Sequence, residues 1–158
     1  MKITWNELVA NIADLSSLDI LADWRWLVPS QMNLVLVSAL GDAFFEDAEG
    51  RIHWLDTGGA ELTCIADSMV NFDLLRQLPE NAEVWFIPLL VGDLLESGKI
   101  LNAGQCFSYV IPLTLGGEIT PANFEVCDIS VHFRVLGGMQ EQLKDVPVGT
   151  KITDIKVK

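Results

Sequence analysis

The sequence has 158 residues, half of them apolar and a fifth charged, which excludes an intrinsically disordered chain. Twenty-two acidic residues against ten basic ones give a formal net charge of −12. A negative surface repels phosphate backbones and anionic lipid headgroups, so we expect no binding to nucleic acid or to membranes. The acidity is concentrated in residues 1–100, which contain sixteen acidic and five basic side chains. This imbalance favours a basic protein partner, or it serves solubility alone.

The three cysteines, Cys64, Cys106 and Cys127, are widely spaced and form no CxxC motif. This pattern predicts neither a disulfide framework nor a metal site, and reduced thiols fit a cytoplasmic protein. The N-terminal residues lack the apolar stretch of a signal peptide, and the longest apolar runs are far too short to span a membrane. We therefore expect a cytoplasmic protein that needs no cofactor.

The first forty residues predict two helices and a strand. Thr4 and Glu7 have the spacing of a capping box, and apolar residues then recur at helical spacing, which predicts a helix over about 4–14. A second short helix around Trp24 should end at Pro29. Residues 33–40 form a continuous apolar run that predicts a buried strand.

Residues 44–66 predict an antiparallel meander. Short apolar segments around 44–45, 52–55 and 61–66 are separated by two turns. The first turn contains Gly50, which tolerates the positive φ that a hairpin loop requires. The second turn is Asp56-Thr57-Gly58-Gly59.

The remaining elements alternate between helices and strands. Asp67 or Ser68 should cap a helix that ends at Pro79, and a helix over 81–98 should be kinked at Pro88. Strands are expected near 108–111 and 129–135, a helix over 138–146, and an edge strand over 151–158. The predicted fold is α+β, with one antiparallel sheet of five to six strands, helices on one side, and an N-terminal helical segment.

The string Trp54-Leu55-Asp56-Thr57-Gly58 resembles the motif of aspartic proteases, in which two aspartates share a proton and activate water. One interpretation is therefore a dimeric aspartic hydrolase that uses Asp56. However, these residue types also favour turns, and helices are expected where a protease requires a flap hairpin. The histidines, His53 and His132, have no partner at a metal-ligand or catalytic spacing, which indicates packed, hydrogen-bonded side chains.

A group of acidic residues surrounds the predicted hairpin of the meander. Their order does not match the register of a calcium-binding EF-hand loop, so they form either a solvated rim or a contact surface for a partner. The candidate contact residues are Asp42, Glu46, Asp47, Glu49, Asp56 and Glu61.

A series of short motifs follows the order found in one known family. The motifs are Trp24-Arg25-Trp26, Gly41-Asp42-Ala43-Phe44-Phe45-Glu46-Asp47, Gly50, Trp54-Leu55-Asp56-Thr57-Gly58, Ala66-Asp67-Ser68, Gly104-Gln105-Cys106, Ile111-Pro112, Leu115-Gly116-Gly117, Asn123-Phe124, Val131-His132-Phe133 and Pro147-Val148-Gly149-Thr150-Lys151-Ile152. With these motifs the sequence resembles the C-terminal domain family of type VI secretion DNase-immunity proteins from about residue 24 to residue 152.

The resemblance implies a bacterial protein that neutralises a cognate toxin by stoichiometric binding rather than by catalysis. It implies one immunity-type domain over residues 1–158, with residues 1–23 as a helical extension and residues 24–152 as the family-like core. An acidic surface would suit the basic substrate groove of a nuclease toxin. The alternatives are a general interaction or regulatory module and the aspartic hydrolase.

Overall fold

The computed structural model describes residues 2–147, 149–153 and 155, and places short helices around two antiparallel sheets. Two 3₁₀ turns span Leu113–Leu115 and Pro121–Asn123. In chain order the elements are α1 (Trp5–Leu8), α2 (Ser17–Leu21), β1 (Asn33–Val37), β2 (Ala43–Glu46), β3 (Ile52–Asp56), β4 (Glu61–Ala66), α3 (Met69–Leu75), α4 (Pro79–Phe86), α5 (Pro88–Glu96), β5 (Gln105–Tyr109), β6 (Phe124–Asp128) and α6 (Ile129–Leu143).

The α+β class and the antiparallel strands are confirmed. Strands β1 to β4 form a meander in which neighbours along the chain are neighbours in the sheet. Strands β5 and β6 form a separate two-stranded sheet, in which Cys106 pairs directly with Cys127. The six strands are therefore divided between two sheets rather than joined in one. Both of these cysteines and Cys64 are free thiols.

Helices cover both faces of the four-stranded sheet, so the expectation of helices on one side was wrong. The reason lies in β2, where Ala43, Phe44 and Phe45 are all fully buried. Because successive side chains of a strand point to opposite faces, Phe45 packs in the core with α2 and α6, while Phe44 packs in the core with α3, α4 and α5. A strand that is apolar on both faces requires a layer on each side.

The N-terminal helix is much shorter than its apolar spacing predicts. The predicted capping box at Thr4 and Glu7 is present, but the helix ends at Leu8. Val9 instead forms a β-bridge with Ser38, and the Ala10 N–H donates to the Val37 carbonyl at 2.8 Å. Pairing with the end of β1 thus replaces the second helical turn. Leu8 itself is buried against α5 in the core.

Pro88 separates two helices rather than bending one. Ile87 has a positive φ of 45°, and Pro88 occupies the first turn of α5. Proline disfavours the α conformation in the residue before it, and it is well tolerated at the start of a helix. Ser68 caps α3 by accepting from the Asn71 N–H at 3.0 Å, as predicted.

The predicted strand over 129–135 is a helix, and it is continuous with the helix predicted downstream. The segment alternates apolar and polar residues, which suggested a strand. However, Ile129, His132, Phe133 and Leu136 are all buried along one stripe of α6. Since this stripe includes the polar His132 and later Gln140, an apolar pattern alone does not reveal its helical period.

The predicted C-terminal edge strand is also wrong within the described residues. Residues 151–153 and 155 form no strand, and the rest of the predicted segment, residues 154 and 156–158, lies outside the described residues. No helix within the described residues is long and apolar enough to cross a membrane.

Two tryptophans fix the segment after α2 against α6. The buried Trp24 donates its Nε1–H to the Phe133 carbonyl at 2.9 Å, and Trp26 donates to the Gly137 carbonyl at 3.2 Å. Their rings stack with centroids 5.7 Å apart. A Cβ on Gly137 would lie only 2.5 Å from the backbone oxygen of Asp23, so a side chain at this position would separate the two segments.

The adjacent glycines of α6 provide a test of this contact. We expect Gly137→Ala to lower the free energy of unfolding by about 1–3 kcal/mol, because the new Cβ overlaps rigid backbone. Gly138→Ala is the matched control: its Cβ meets nothing within 4 Å, so it should raise stability by about 0.5–1 kcal/mol through helix propensity. Urea unfolding measures both. Equal effects of the same sign would contradict the proposed packing constraint.

Candidate functional site

A small cleft lies between one end of the four-stranded sheet, the end of α4 and the β5–β6 hairpin. Asp42 directly precedes β2 and Asp56 ends β3, so the pairing of Ala43 with Leu55 places the two aspartates at the same sheet end. The cavity has a volume of about 100 Å³. The acidic cleft, as we call it, is lined by two carboxylates and four aromatic rings, from Asp42, Trp54, Asp56, Trp85, Tyr109 and Phe124.

The rim of the acidic cleft is apolar and exposed. Val84 on α4 is 57% exposed, and Ile119, in the loop between β5 and β6, is 52% exposed. Large apolar side chains exposed beside a cavity are typical of binding sites rather than of a purely solvated surface.

The carboxylate of Asp42 accepts three hydrogen bonds. Its Oδ2 accepts from the Trp54 indole at 3.1 Å, and its Oδ1 accepts from the Thr57 backbone N–H and hydroxyl, each at 3.0 Å. Burial, and then the nearby Asp56 carboxylate, raise the pKa of Asp42 to about 7 despite these bonds. The fold therefore holds an aspartate that ionises near neutral pH.

The Asp56 carboxylate caps the turn that follows β3. Its Oδ1 accepts from the N–H groups of Gly58 and Gly59, each at 3.2 Å. Burial raises the pKa of Asp56, and the carboxylate of Glu61, its partner across β3 and β4, also contributes. The Tyr109 hydroxyl approaches Gly58 closely, and a Cβ on Gly58 would lie only 2.5 Å from its oxygen. The absence of a side chain at Gly58 permits this approach.

Each residue of the Asp-Thr-Gly string therefore has a structural role in the turn. A single strand and then three helices follow it in the chain. Asp56, Thr57 and Gly58 therefore form the turn that the sequence favoured. The elements that directly follow Asp56 do not form a β-hairpin flap.

A buried polar network underlies the acidic cleft. The Nε2 of His132 lies 2.8 Å from the Gly41 carbonyl, and its Nδ1 lies 2.6 Å from the Ser108 hydroxyl. Because a carbonyl only accepts, Nε2 carries the proton, and Nδ1 accepts from Ser108. Burial lowers the pKa of His132 to about 4, which agrees with a neutral ring. The Thr57 hydroxyl, 3.3 Å from Nε2, links this ring to Asp42.

Gln140 completes the network from the next turns of α6. Its side-chain amide donates to the carbonyls of Thr57 and Gly58, each at 3.2 Å. His132 is 1% exposed and Ser108 is 9% exposed, so their hydrogen bond serves packing rather than access to a substrate. The sequence-based interpretation of His132 as a packed, hydrogen-bonded histidine agrees with this geometry.

The six acidic residues selected from the sequence lie at opposite ends of the sheet. Asp42, Asp56 and Glu61 lie at the end that forms the acidic cleft. The hairpin tip, which we define as Glu46, Asp47 and Glu49, lies at the other end, in and beside the β2–β3 turn.

Asp47 is occupied by the structure of the hairpin tip. It accepts from the N–H groups of Glu49 and Arg51 at 2.9 Å, from the Arg51 side chain, and from the His53 ring at 2.8 Å. The bond from His53, more than any other contact, lowers the pKa of Asp47 well below its usual range. Glu49 is exposed and pairs with Arg51. Sequence patterns grouped these residues because they did not reveal which carboxylates the turn itself uses.

Within the described residues, no group of three or more His, Cys, Asp or Glu side chains could hold a metal ion. The fold and the site together define an α+β protein whose candidate site is a small, acid-lined binding cleft.

Comparison with known proteins gives a match to one family model. Residues 66–140 match the family model described as T6SS immunity protein Tdi1, C-terminal. This match covers just under half of the chain, and it confirms the resemblance to the type VI secretion immunity family. It includes the cleft residues contributed by α4, β5 and β6.

The solved structures that are similar include the crystal structure of Atu4351 from Agrobacterium tumefaciens. The two chains are 17% identical, with a TM-score of 0.49. The alignment covers 76% of this chain and 60% of that chain, so this chain spans less than two thirds of the length of that protein. No curated protein matches this chain.

The raised pKa of Asp42 predicts a pH dependence of stability. Between about pH 4 and pH 7 the folded state retains a proton that the unfolded state releases, so the contribution of Asp42 is lost as the pH rises through 7. Asp42→Asn removes this contribution. The stability of the variant relative to wild type should therefore increase over this range, by at most about 1.4 kcal/mol per pH unit.

Urea unfolding between pH 4 and 8 measures this difference. His132 contributes with the opposite sign, since its lowered pKa costs stability as the pH falls below about 6.5. That contribution is common to both proteins and cancels in the comparison. Asp14→Asn, which removes an exposed carboxylate, is the control. A pH-independent difference between Asp42→Asn and wild type would contradict the proposed protonation of Asp42.

Proposed function

We propose that this protein is a type VI secretion immunity protein that neutralises a cognate secreted toxin by stoichiometric binding. The match of residues 66–140 to the T6SS immunity protein Tdi1 family supports this role. Immunity by binding requires a complementary surface and no catalytic group. The burial of Ser108 and His132 and the turn-capping role of Asp56 agree with a protein that is not an enzyme.

The toxin that we propose is a nuclease, and the compartment in which it is neutralised is the cytoplasm. A nuclease groove is basic because it binds phosphates, whereas this chain carries a net charge of −12. Opposite charges accelerate association and make it sensitive to salt. The same charge disfavours binding to nucleic acid or to anionic membranes.

We further propose that the acidic residues at both ends of the sheet contribute to toxin binding, each end in a different way. Glu46 and Glu49 of the hairpin tip are carboxylates near solvent, so they suit long-range attraction. We do not assign Asp47 to this attraction, because its carboxylate accepts the hydrogen bonds that stabilise the turn. The other end presents Glu61, which is exposed, beside the partly buried Asp42 and Asp56.

Co-expression tests the immunity role. The product of the gene adjacent to this one should arrest growth when it is expressed alone, and co-expression of this chain should restore growth. An unrelated protein of similar negative charge is the control and should not rescue. If the neighbouring product is harmless, or if its toxicity is unaffected, immunity to it is excluded. A general interaction module then becomes the leading function, and an unbiased pull-down identifies its partner.

Charge reversal tests the role of the hairpin tip. The double variant Glu46→Lys/Glu49→Lys keeps Asp47 and therefore keeps its hydrogen bonds in the turn. It should slow association with the toxin about 3–10-fold at low salt, with little effect at high salt, because steering is screened. Surface plasmon resonance at two salt concentrations measures both rates.

The matched control for this variant is Asp14→Lys/Asp145→Lys, which changes the net charge equally at two exposed positions outside the tip. Equal association rates for the two double variants would show that only total charge matters, and would remove the hairpin tip from the contact zone.

A further inference from the structure

The acidic cleft carries negative charge that the protein does not compensate. None of the described residues that line it is basic. Among residues 2–147, 149–153 and 155, neither Asp42 nor Asp56 forms an ion pair. Asp42 accepts three hydrogen bonds and Asp56 accepts two, but the other groups that line the cleft are aromatic rings and apolar side chains, which stabilise a carboxylate poorly. A positive group that entered the cleft would restore the stabilisation that these carboxylates lose by burial.

The aromatic walls favour the same kind of ligand. Trp54, Trp85, Tyr109 and Phe124 line the cleft together with the two carboxylates. Ring faces attract cations, and this attraction strengthens where water is excluded. A cleft lined by two carboxylates and four aromatic rings is therefore complementary to an organic cation through both its charge and its ring faces.

The volume of the cleft limits the size of the ligand. A cavity of about 100 Å³ corresponds to roughly three water molecules at ~30 Å³ each. Drug-sized ligands occupy pockets of about 300–1,000 Å³, so this cleft accepts only the end of a larger molecule. The exposed apolar rim, with Val84 and Ile119, extends the contact beyond that end and suits a protein surface.

We propose that the acidic cleft is the socket for a lysine or arginine side chain of the partner protein, with Asp42 and Asp56 as its counter-charges. This inference rests on the proposed function for the identity of the partner, the cognate toxin. The cationic group contacts the carboxylates, the side-chain stem packs against the aromatic walls, and Val84 and Ile119 contact the surface around it. Buried and well-fitted side chains of this kind dominate the affinity of protein interfaces.

The decisive variant is Asp56→Asn, which removes one charge and leaves an amide oxygen to accept from the Gly58 and Gly59 N–H groups. It also relieves repulsion between carboxylates, so the variant should fold at least as well as wild type, as thermal unfolding verifies. Its affinity for the purified toxin encoded by the adjacent gene should fall about 10–100-fold. Asp14→Asn, the isosteric control at an exposed position, should bind within twofold of wild type.

Each outcome of this experiment has a distinct meaning. If wild type binds the toxin and Asp56→Asn binds equally well, the socket is refuted and the immunity role stands. If wild type does not bind, the proposed function fails, and the assignment of the socket to this partner fails with it. If Asp56→Asn and Asp14→Asn weaken binding equally, total charge explains the loss and the socket is again refuted.

A probe that does not depend on the toxin tests the chemistry of the cleft directly. The Trp54 indole N–H donates to Asp42, so its NMR resonance reports on the cleft. Titration with N-acetyl-lysine amide should shift this resonance in wild type and not in Asp56→Asn. The uncharged analogue, N-acetyl-norleucine amide, is the control. No shift with the lysine compound, or an equal shift with norleucine, would overturn the assignment of a cationic ligand.

Discussion

The hydrogen bond from His132 to the Gly41 carbonyl joins parts of the chain that are ninety-one residues apart. Gly41 has a φ of +86°, and a Cβ at this position would lie 2.3 Å from the His132 ring nitrogen. Only glycine permits this approach. Since Nδ1 of the same ring accepts from Ser108, one neutral histidine connects α6 to β5 and to the turn before β2. Every buried polar side-chain atom within the described residues has a hydrogen-bond partner.

The position of the acidic cleft follows from this network. Asp42 directly follows Gly41, and Asp56 directly precedes Thr57, whose hydroxyl lies between Asp42 and His132. The buried groups therefore fix the backbone on which both carboxylates are carried. A pair of partly buried acids without a counter-charge is unfavourable for an isolated domain. This pair of acids lies over a network in which every buried polar side-chain atom is hydrogen-bonded. That support indicates a rigid site rather than a loosely packed one.

The sequence predicted the meander and the limits of α3 because those signals are local. The turn at Gly50, the cap at Ser68 and the end of the helix before Pro79 depend on neighbouring residues alone. The length of α1 and the helical state of residues 129–135 were predicted wrongly because both depend on distant contacts. Val9 pairs with Ser38, and the buried stripe of α6 includes His132, which a hydrophobic pattern does not count.

The acidic residues of the candidate site could be selected from the sequence, but which of them lie together in space could not. The acidic residues between 42 and 61 are close in sequence, yet two reversals of the chain direction distribute them to opposite ends of the sheet. No local pattern indicated that Tyr109 and Phe124, paired across β5 and β6, close the cleft opposite Asp42 and Asp56. That arrangement requires the second sheet, whose position depends on the His132 bonds.

The carboxylates at the two ends of the sheet differ in which step of partner binding they can influence. Carboxylates near solvent at the hairpin tip act over a distance and are screened by salt, so they influence chiefly the rate of association. In the proposed complex, the carboxylates of the cleft act only after the cationic side chain has entered and lost its water, so they influence chiefly the rate of dissociation. The walls of the cleft come largely from the family-matching segment, whereas Asp42, Trp54 and Asp56 precede it. In the proposed complex, the socket is therefore built largely on the segment that matches the family model, whereas the charges of the exposed tip can change without disturbing that segment.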